Sequence, residues 1–169
     1  MTDDDRLTDP LAAAMALPRG SLVIIRTRDA RARITLARAI IAQARSHPLF
    51  VLVADDPDLA ARLGADGIHL PERRAREAAH WRSRHPSWLI TAASHGHTPA
   101  PPAADAILLS PVFATQSHIG APSLGAARAS FIAARQAKPV YALGGIDARN
   151  ATLLSRVFCG IAAIGALAA

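Results

Sequence analysis

Residues 49–70, LFVLVADDPDLAARLGADGIHL, contain two apolar strands joined by a short helix. The run from Leu49 to Asp55 is apolar on both faces, as buried parallel strands are. Asp56–Leu63 has helical spacing, and Gly64 fits the position that ends a helix. Gly67–Leu70 is then a second short strand. A strand, a helix and a strand in this order predict a parallel pair with a crossover helix.

The same alternation continues along the whole chain, and it predicts a single parallel α/β domain over residues 1–169. The predicted strands are Leu22–Arg26, Leu49–Asp55, Gly67–Leu70, Trp88–Ala93, Ala106–Leu109, Pro139–Leu143 and Gly160–Ile164. The predicted helices are Leu11–Leu17, Ala30–Arg45, Asp56–Leu63, Glu72–Arg84, Ser123–Ala137 and Asp147–Ser155, the last with Asp147 as N-cap.

This pattern leaves two architectures, a (β/α)8 barrel and an open doubly wound sheet. An eighth strand would have to precede Leu11–Leu17, with Met1 to Asp3 as its last residues. A barrel usually needs about 200 residues or more, so a chain of 169 must shorten its connections. Residues 94–104, SHGHTPAPPAA, contain three prolines and cannot hold a full crossover helix. We therefore expect a shortened (β/α)8 TIM-type barrel with its first strand truncated and its fifth crossover helix reduced.

The composition predicts a soluble, cytoplasmic domain. Hydrophobic residues make up 51% of the chain, which supplies one core and argues against disorder. The single cysteine, Cys159, excludes an intramolecular disulfide. The longest apolar run is too short to span a bilayer, and the first residues lack the basic region of a signal peptide. We expect no membrane partner.

The chain is basic, with 19 Lys and Arg residues against 13 Asp and Glu residues and a net charge of +6. All the basic residues except Lys138 are arginines, and they are mixed among alanines in helical segments. A nucleic-acid site would need a continuous basic stripe with aromatic or glycine-rich partners. We therefore interpret the arginines as solvated helix faces, with the binding of anions such as small phosphates as the alternative, and we expect no nucleic-acid partner.

Two arginines stand at the end of the predicted strand Leu22–Arg26. Arg26 and Arg28 are two residues apart, so on an extended chain they point to the same side as Ile24. Two guanidinium groups at one strand end suit a diphosphate, which accepts forked, charge-assisted hydrogen bonds. A pair of solvated surface arginines would have the same spacing.

Carboxylates follow the next strand, at Asp55, Asp56 and Asp58. At a barrel rim they could hold Mg²⁺, which typically takes one or two carboxylates together with phosphate oxygens. The alternative is that Asp55 or Asp56 is the N-cap of the following helix.

Glycines follow the last two strands, at Gly144, Gly145 and Gly165. They would let backbone N–H groups approach a phosphate, helped by the N-terminus of a helix that begins at Asp147. Tight turns alone would also explain them. If an anion binds there, a side chain at Gly145 should block it with little loss of folded protein.

Other polar residues at the strand ends are less diagnostic. The group after the predicted strand Trp88–Ala93 lacks a third metal ligand of diagnostic spacing and the elbow motif of a hydrolase. A later loop is long enough to close over a ligand. These residues are Ser94, His95 and His97 in the first group, and Thr115, Ser117 and His118 in the loop. We interpret His69 as a structural histidine, with a barrel-facing role as the alternative.

Several strings taken together resemble one known family. They are GADGIHL at 64–70, SH at 94–95, SPVFATQSHIGAPSLG at 110–125, PVYALGGI at 139–146 and GIAAIGAL at 160–167. Their order and spacing resemble the thiamine phosphate synthase/TenI family of (β/α)8 barrels, over residues 22–169. The family typically opens with a strand that ends in Thr-Asp, which Thr2-Asp3 resembles, so the chain is expected to begin inside that strand.

The resemblance implies thiamine biosynthesis, in which hydroxymethylpyrimidine diphosphate is coupled to thiazole phosphate and diphosphate leaves. It implies Mg²⁺ as cofactor and phosphorylated thiamine precursors as partners. The roles it implies are diphosphate contacts for Arg26, Arg28 and Ser94, a magnesium ligand in Asp55, hydroxyls near the thiazole phosphate in Thr115 and Ser117, and a backbone phosphate cradle at Gly144, Gly145, Ile164 and Gly165.

The chain departs from the family pattern at several site positions. Ile24 replaces a glutamine, Ala54 an asparagine, Arg74 a second magnesium aspartate and His118 a lysine. A protonated His118 could stand in for that lysine. In the TenI branch, which comprises thiazole tautomerases, the catalytic histidine would fall at Pro111.

Three functions remain open at this point. The first is a divergent synthase with an incomplete site, the second a TenI-type thiazole tautomerase, and the third a catalytically silent binder of phosphorylated thiamine precursors. The missing strand would also leave unpaired edges on Leu22–Arg26 and on Gly160–Ile164. We therefore expect marginal stability, or pairing of this incomplete barrel edge with another chain.

Overall fold

The computed structural model describes residues 1–4, 7–115 and 122–164. Within these ranges, seven strands form one parallel sheet, in which each strand pairs with the next one along the chain. They are β1 (Leu22–Ile25), β2 (Phe50–Ala54), β3 (Gly67–Leu70), β4 (Leu89–Ser94), β5 (Ala106–Leu109), β6 (Val140–Leu143) and β7 (Gly160–Ala162). The seven strand predictions and the parallel α/β class are confirmed. The strictly sequential order differs from a doubly wound sheet, in which the strand order reverses.

The sheet curls, so that its two edges approach the same few residues. The backbone nitrogen of Met1 donates to Ala163 O at 3.0 Å, just after β7. The backbone nitrogen of Thr2 donates to Ile24 O at 2.9 Å, in β1. Residues 1–4 form no strand of their own, so the described part of the chain is a curled seven-stranded sheet and not a complete eight-stranded barrel.

Among the described residues there are five α-helices, of which the first precedes β1 and the other four connect strands. They are α1 (Pro10–Met15), α2 (Ala30–Ala44), α3 (Pro57–Leu63), α4 (Ala78–Arg84) and α5 (Ala126–Ala134). Aspartate side chains cap three of them: Asp9 accepts from Ala12 N, Asp29 from Ala32 N and Asp56 from Leu59 N. The first half of the predicted helix Glu72–Arg84 is a 3₁₀ segment, Glu72–Glu77. No described helix is long and apolar enough to cross a membrane.

Residues 95–105, between β4 and β5, contain no helix, as the prolines predicted. The predicted helix Asp147–Ser155 is wrong, because only Ala151–Leu153 is helical there, as a 3₁₀ turn. The Asp147 carboxylate accepts from Arg149 N and Asn150 N, and the Asn150 side chain donates to Gly145 O at 2.7 Å. These local side-chain bonds compete with the helical pattern and hold the segment as a turn.

Alternation along the strands divides the apolar side chains between two layers. One face of the sheet packs against the helices, with Val53, Ile68 and Ile90 fully buried. The opposite, inner face carries a smaller cluster, made of Ile24, Leu52, Ala54 and Leu108 with partly buried neighbours. This inner cluster leaves room at the carboxyl ends of the strands, where the candidate site lies.

An aspartate immediately before β3 ties three strands together. Asp66 N donates to Val51 O at 2.9 Å, and Val51 N donates to the Asp66 carboxylate at 2.7 Å. Leu89 N donates to Asp66 O at 2.9 Å. Asp105 repeats the arrangement before β5, since its backbone N and its carboxylate pair with the O and N of Ile90. These contacts fix the register of the strands at their amino ends, on the side of the sheet away from the candidate site.

We expect Asp66→Ala to lower the free energy of unfolding by about 1–3 kcal/mol, because it leaves the backbone N–H of Val51 without an acceptor. Val51 is 1% exposed, so water cannot replace the lost acceptor easily. Asp66→Asn is the matched control, since its amide oxygen still accepts, and it should lose less than half as much. Chemical denaturation measures both variants. Equal losses for alanine and asparagine would contradict this role.

Candidate active site

A cavity of about 750 Å³ opens at the carboxyl ends of the strands. This is the edge at which parallel α/β proteins bind their ligands. Its lining includes residues that follow each of the seven strands in turn: Arg26 and Arg28, Asp55, Pro71 and Arg73, His95, Ser110, Gly144 and Gly145, and Ile164.

Arg26 and Arg28 line the cavity on the side of Ile24, as their spacing predicted. The guanidinium of Arg26 lies 3.5 Å from the carboxylate of Asp3, which is at the limit of a hydrogen bond, and its side chain is 47% exposed. Arg28 is more exposed and has an ion-pair partner, Asp4, at 3.7 Å. These carboxylates orient the two arginines, whose side chains stay accessible at the cavity wall.

A third arginine joins this wall from the first turn of α2. Arg33 lines the cavity and donates from Nη2 to Asp56 at 3.0 Å. Its Nε is buried and has no hydrogen-bond partner among the described residues. A buried donor without an acceptor is costly, and Arg33 adds a third positive charge to this wall of the cavity.

Asp55 directly follows β2 and adopts a left-handed backbone conformation, with φ of 56°. Aspartate is one of the few non-glycine residues that adopt this conformation readily. Its carboxylate accepts from Arg73 Nη2 on one oxygen and from Arg74 Nη1 on the other, each at 2.5 Å. Arg74 in turn donates twice to the carboxylate of Glu77, at 2.7 Å. Asp55 is therefore held between two guanidinium groups, and it does not cap α3.

The oxygen atoms of Asp55 and its neighbours do not fit a magnesium site. Mg²⁺ takes oxygen ligands at about 2.0–2.1 Å in near-octahedral geometry. Both Asp55 oxygens already accept from arginines, Glu77 pairs with Arg74, and Asp56 caps α3 and pairs with Arg33. The surroundings of Asp55 therefore do not support its predicted role as a magnesium ligand.

His69 forms part of the cavity floor, in the middle of β3. Its Nδ1 lies 2.9 Å from Thr91 Oγ1, and the residue is 6% exposed. Burial lowers the pKa of His69 to about 4, helped by the nearby charge of Arg26 and opposed by Asp55. The imidazole is therefore neutral at neutral pH and offers hydrogen bonds rather than charge.

A carboxylate–imidazole pair lies at the ends of β3 and β4. Glu72 accepts from His95 N at 3.1 Å, and its second oxygen lies 2.5 Å from His95 Nδ1. Burial alone would raise the pKa of Glu72, but the hydrogen bonds from His95 outweigh it and hold that pKa below its ordinary value. His95 lines the cavity, so the pair presents an oriented imidazole at its mouth.

Ser94 is not brought into the cavity. It is 4% exposed and its Oγ accepts from Gly96 N at 3.2 Å. On β4 it shares the side of Ile90 and Ala92, which pack toward the helices, whereas Ala93 and His95 line the cavity. The predicted contact of Ser94 with diphosphate therefore has no support in this placement.

The opposite part of the rim contains the predicted phosphate cradle. Gly144, Gly145, Thr115 and Ile164 all line the cavity. Ser117, His118 and Gly165, which were predicted to take part, lie outside the described residues. The expected helix N-terminus behind these glycines is absent, because residues 147–150 form the turn described above.

Close packing explains the glycine at position 145, whose φ is 63°. A Cβ there would lie 2.1 Å from Ala114 O, so any side chain would displace the loop that carries Thr115. The expectation that a side chain at Gly145 leaves the fold intact is therefore wrong. Gly144 and Gly145 both line the cavity, so a ligand there would lie beside this turn.

Sequence reasoning did not assign site roles to Arg33, Arg73 and the Glu72–His95 pair. Arg73 and Glu72 directly follow β3 and Pro71, so the same rule that selected Asp55 after β2 could have found them. Arg33 has no such signal, because it comes from a helix whose other arginines are exposed.

Comparison with known proteins identifies the chain's relatives. The profile of the family described as thiamine monophosphate synthase matches residues 2–167. A thiamine-phosphate synthase of Thermus thermophilus is 37% identical over 141 residues, which cover 76% of this chain and 65% of that protein. One from Anaeromyxobacter dehalogenans is 32% identical over 165 residues, covering 92% of this chain and 74% of that protein.

Solved structures show the same fold. Thiamine phosphate pyrophosphorylase from Pyrococcus furiosus superposes with a TM-score of 0.75 at 21% identity, covering 98% of this chain and 85% of that one. The citrate synthase SbnG superposes with a TM-score of 0.59 at 14% identity, covering 91% and 80%. Two different activities on one fold mean that function must be argued from the site.

The buried, neutral His69 predicts a specific pH dependence of stability. Its pKa falls from 6.5 in the unfolded chain to about 4 in the folded one, so the unfolded chain binds the proton more readily between these values. The contribution of the neutral His69 ring to the free energy of unfolding is complete above pH 6.5 and is lost as the pH falls to about 4. The loss should reach roughly 3 kcal/mol.

We expect the free energy of unfolding to fall more steeply below pH 6.5 in the wild type than in His69→Gln, whose amide can still bond to Thr91. Denaturation curves at pH 7 and pH 4.5 measure the difference, and nuclear magnetic resonance should show a His69 ring that does not titrate above pH 5. Parallel pH profiles, or a ring that titrates near 6.5, would show that His69 is solvated.

Proposed function

Because the chain belongs to the thiamine monophosphate synthase family, we propose that it couples hydroxymethylpyrimidine diphosphate to thiazole phosphate and releases diphosphate. The chain spans 65% of the length of the Thermus relative, so this activity is an inference from family and site together. We also infer that its curled sheet is a (β/α)8 barrel with a reduced first strand. The contacts of Met1 and Thr2 with both edges support that description.

The observation that carries the proposal is that one cavity has arginines on one wall and glycines with a hydroxyl group on the other. Arginines gather after β1 and β3 and in the first turn of α2, whereas glycines and a hydroxyl gather after β5 and β6. Guanidinium forks suit a diphosphate, and backbone N–H groups suit a single phosphate. The volume of about 750 Å³ falls within the usual range for ligand sites.

In this reaction the bond between the pyrimidine methylene carbon and the diphosphate oxygen breaks first, and the electron pair leaves with diphosphate. The thiazole nitrogen then uses its lone pair to form the new carbon–nitrogen bond. Arg26, Arg28 and Arg73 neutralise the charge that grows on the departing diphosphate. Held neutral, His69 adds no positive charge beside the pyrimidine cation.

The alternatives differ in what the site must contain. At the position of the tautomerase histidine stands Pro111, which has no group that can transfer a proton. A silent binder would hold both precursors without turnover. Separate measurements of binding and turnover therefore distinguish a silent binder from an enzyme.

We expect thiamine phosphate to form from the two precursors, with one diphosphate released per product. Arg26→Ala should lower kcat/KM by about 100-fold or more, because preorganised positive charge at the leaving group is lost. Arg84→Ala, at the exposed end of α4, is the matched control and should leave activity unchanged. Binding of both precursors without product would identify a silent binder and contradict the proposed activity.

The wall of the cavity formed by Thr115, Gly144 and Gly145 predicts an effect on the binding of thiazole phosphate. Thr115→Val should weaken thiazole phosphate binding by about tenfold, since a hydrogen bond to a charged group is lost. Thr152→Val, in the 3₁₀ turn away from the lining, is the matched control. Isothermal calorimetry with thiazole phosphate measures both variants. Unchanged affinity in Thr115→Val would remove this hydroxyl from the phosphate site.

A further inference from the structure

We propose that Arg73 and Arg74 take the place of a divalent cation at Asp55, so that diphosphate binds in this cavity without a metal. The proposal rests on the proposed function, which places a diphosphate against the arginine wall. It concerns how the chain supplies positive charge beside the carboxylate of Asp55.

The first support is the geometry at Asp55. Each of its carboxylate oxygens accepts from a different guanidinium, and Arg74 Nη1 also donates to the Asp55 backbone oxygen at 3.1 Å. A cation bonded to either oxygen would lie against at least one guanidinium group, where like charges repel.

The second support is that Arg74 is fixed in place. Its other donors, Nε and Nη2, form a two-pronged pair with the Glu77 carboxylate. The hydrogen bonds that Arg74 donates to Glu77, and then to Asp55, raise the pKa of Arg74 above its ordinary value, so it stays charged at every relevant pH. Arg74 therefore bridges the carboxylates of Asp55 and Glu77. Moving its side chain away would break its ion pairs with both of them.

The third support is the charge that this arrangement leaves for a ligand. Asp55 and Glu77 balance Arg73 and Arg74, so the carboxylate of Asp55 does not repel an incoming diphosphate. Arg73 is 70% exposed and lines the cavity, so donors of its fork remain accessible. Asp55 thus acts as a positioning residue that directs Arg73.

The whole lining has the same character. Its described residues include one carboxylate, Asp55, and four arginines: Arg26, Arg28, Arg33 and Arg73. A guanidinium presents planar, paired donors that match phosphate oxygens, and it needs no metal to bridge to them. The site is therefore built to receive a free anion rather than a metal–anion complex.

The test is calorimetry of the full chain with inorganic diphosphate, at constant ionic strength, once in EDTA and once in excess Mg²⁺. We expect diphosphate to bind in EDTA. Mg²⁺ should leave the affinity unchanged or weaken it, because in solution it neutralises part of the diphosphate charge that the arginines recognise.

Two variants and a matched control sharpen the test. Arg73→Ala should weaken binding in EDTA by about tenfold or more. Arg76→Ala removes an exposed arginine from the same 3₁₀ segment, outside the lining, and should bind as the wild type does. Asp55→Asn tolerates the same backbone conformation, and it should leave the response to Mg²⁺ as small as in the wild type.

The outcomes separate the two proposals. If diphosphate binds only with Mg²⁺, and Asp55→Asn abolishes that gain, Asp55 is a metal ligand and the inference is overturned, while the proposed function stands. If diphosphate binds in neither buffer, the proposed function fails and the inference fails with it. Equal weakening in Arg73→Ala and Arg76→Ala would also overturn the inference. Circular dichroism checks that each variant is folded. If Arg73→Ala is unfolded, the inference is tested by the wild type alone, from its diphosphate affinity in EDTA and in Mg²⁺.

Discussion

Parallel hydrogen bonding between strands that follow one another along the chain is the constraint on which this structure depends. Each strand pairs with its successor, so every strand ends at the same edge of the sheet. Residues far apart in sequence, such as Arg26, Asp55 and Gly144, thereby come to line one cavity. At the amino ends of the strands, Asp66 and Asp105 maintain the register, because their side chains accept hydrogen bonds from the backbone of neighbouring strands.

The inner layer of the sheet decides what this cavity can bind. Its apolar cluster is small, and His69 with Thr91 completes the floor as a buried, neutral polar pair. Charge is confined to the rim, where most arginines are oriented by aspartates that do not line the cavity. A ligand with a flat, uncharged centre and anionic groups at its ends fits this distribution, which agrees with the proposed pair of phosphorylated substrates.

The fold alone would not have led to this conclusion, since the citrate synthase SbnG shares it. What separates the activities is the set of side chains at the strand ends. Here four arginines and one carboxylate, Asp55, are among the described residues of the lining. The pairing of Asp55 with Arg73 and Arg74 then sets the local electrostatic arrangement at the end of β2.

The sequence by itself determined the seven strands, their parallel arrangement and the side of β1 on which Arg26 and Arg28 lie. These features follow from apolar runs, helical periodicity and the two-residue alternation of a strand, which are local properties. Only the tertiary structure decided the partners of Asp55, which lie 18 and 19 residues along the chain. It also decided that Ser94 points toward the helices, that Gly145 packs on Ala114 and that Asp147 and Asn150 form a turn instead of a helix. Each of these depends on which side chains or backbone atoms meet across elements or within a turn, and neither periodicity nor composition carries that information.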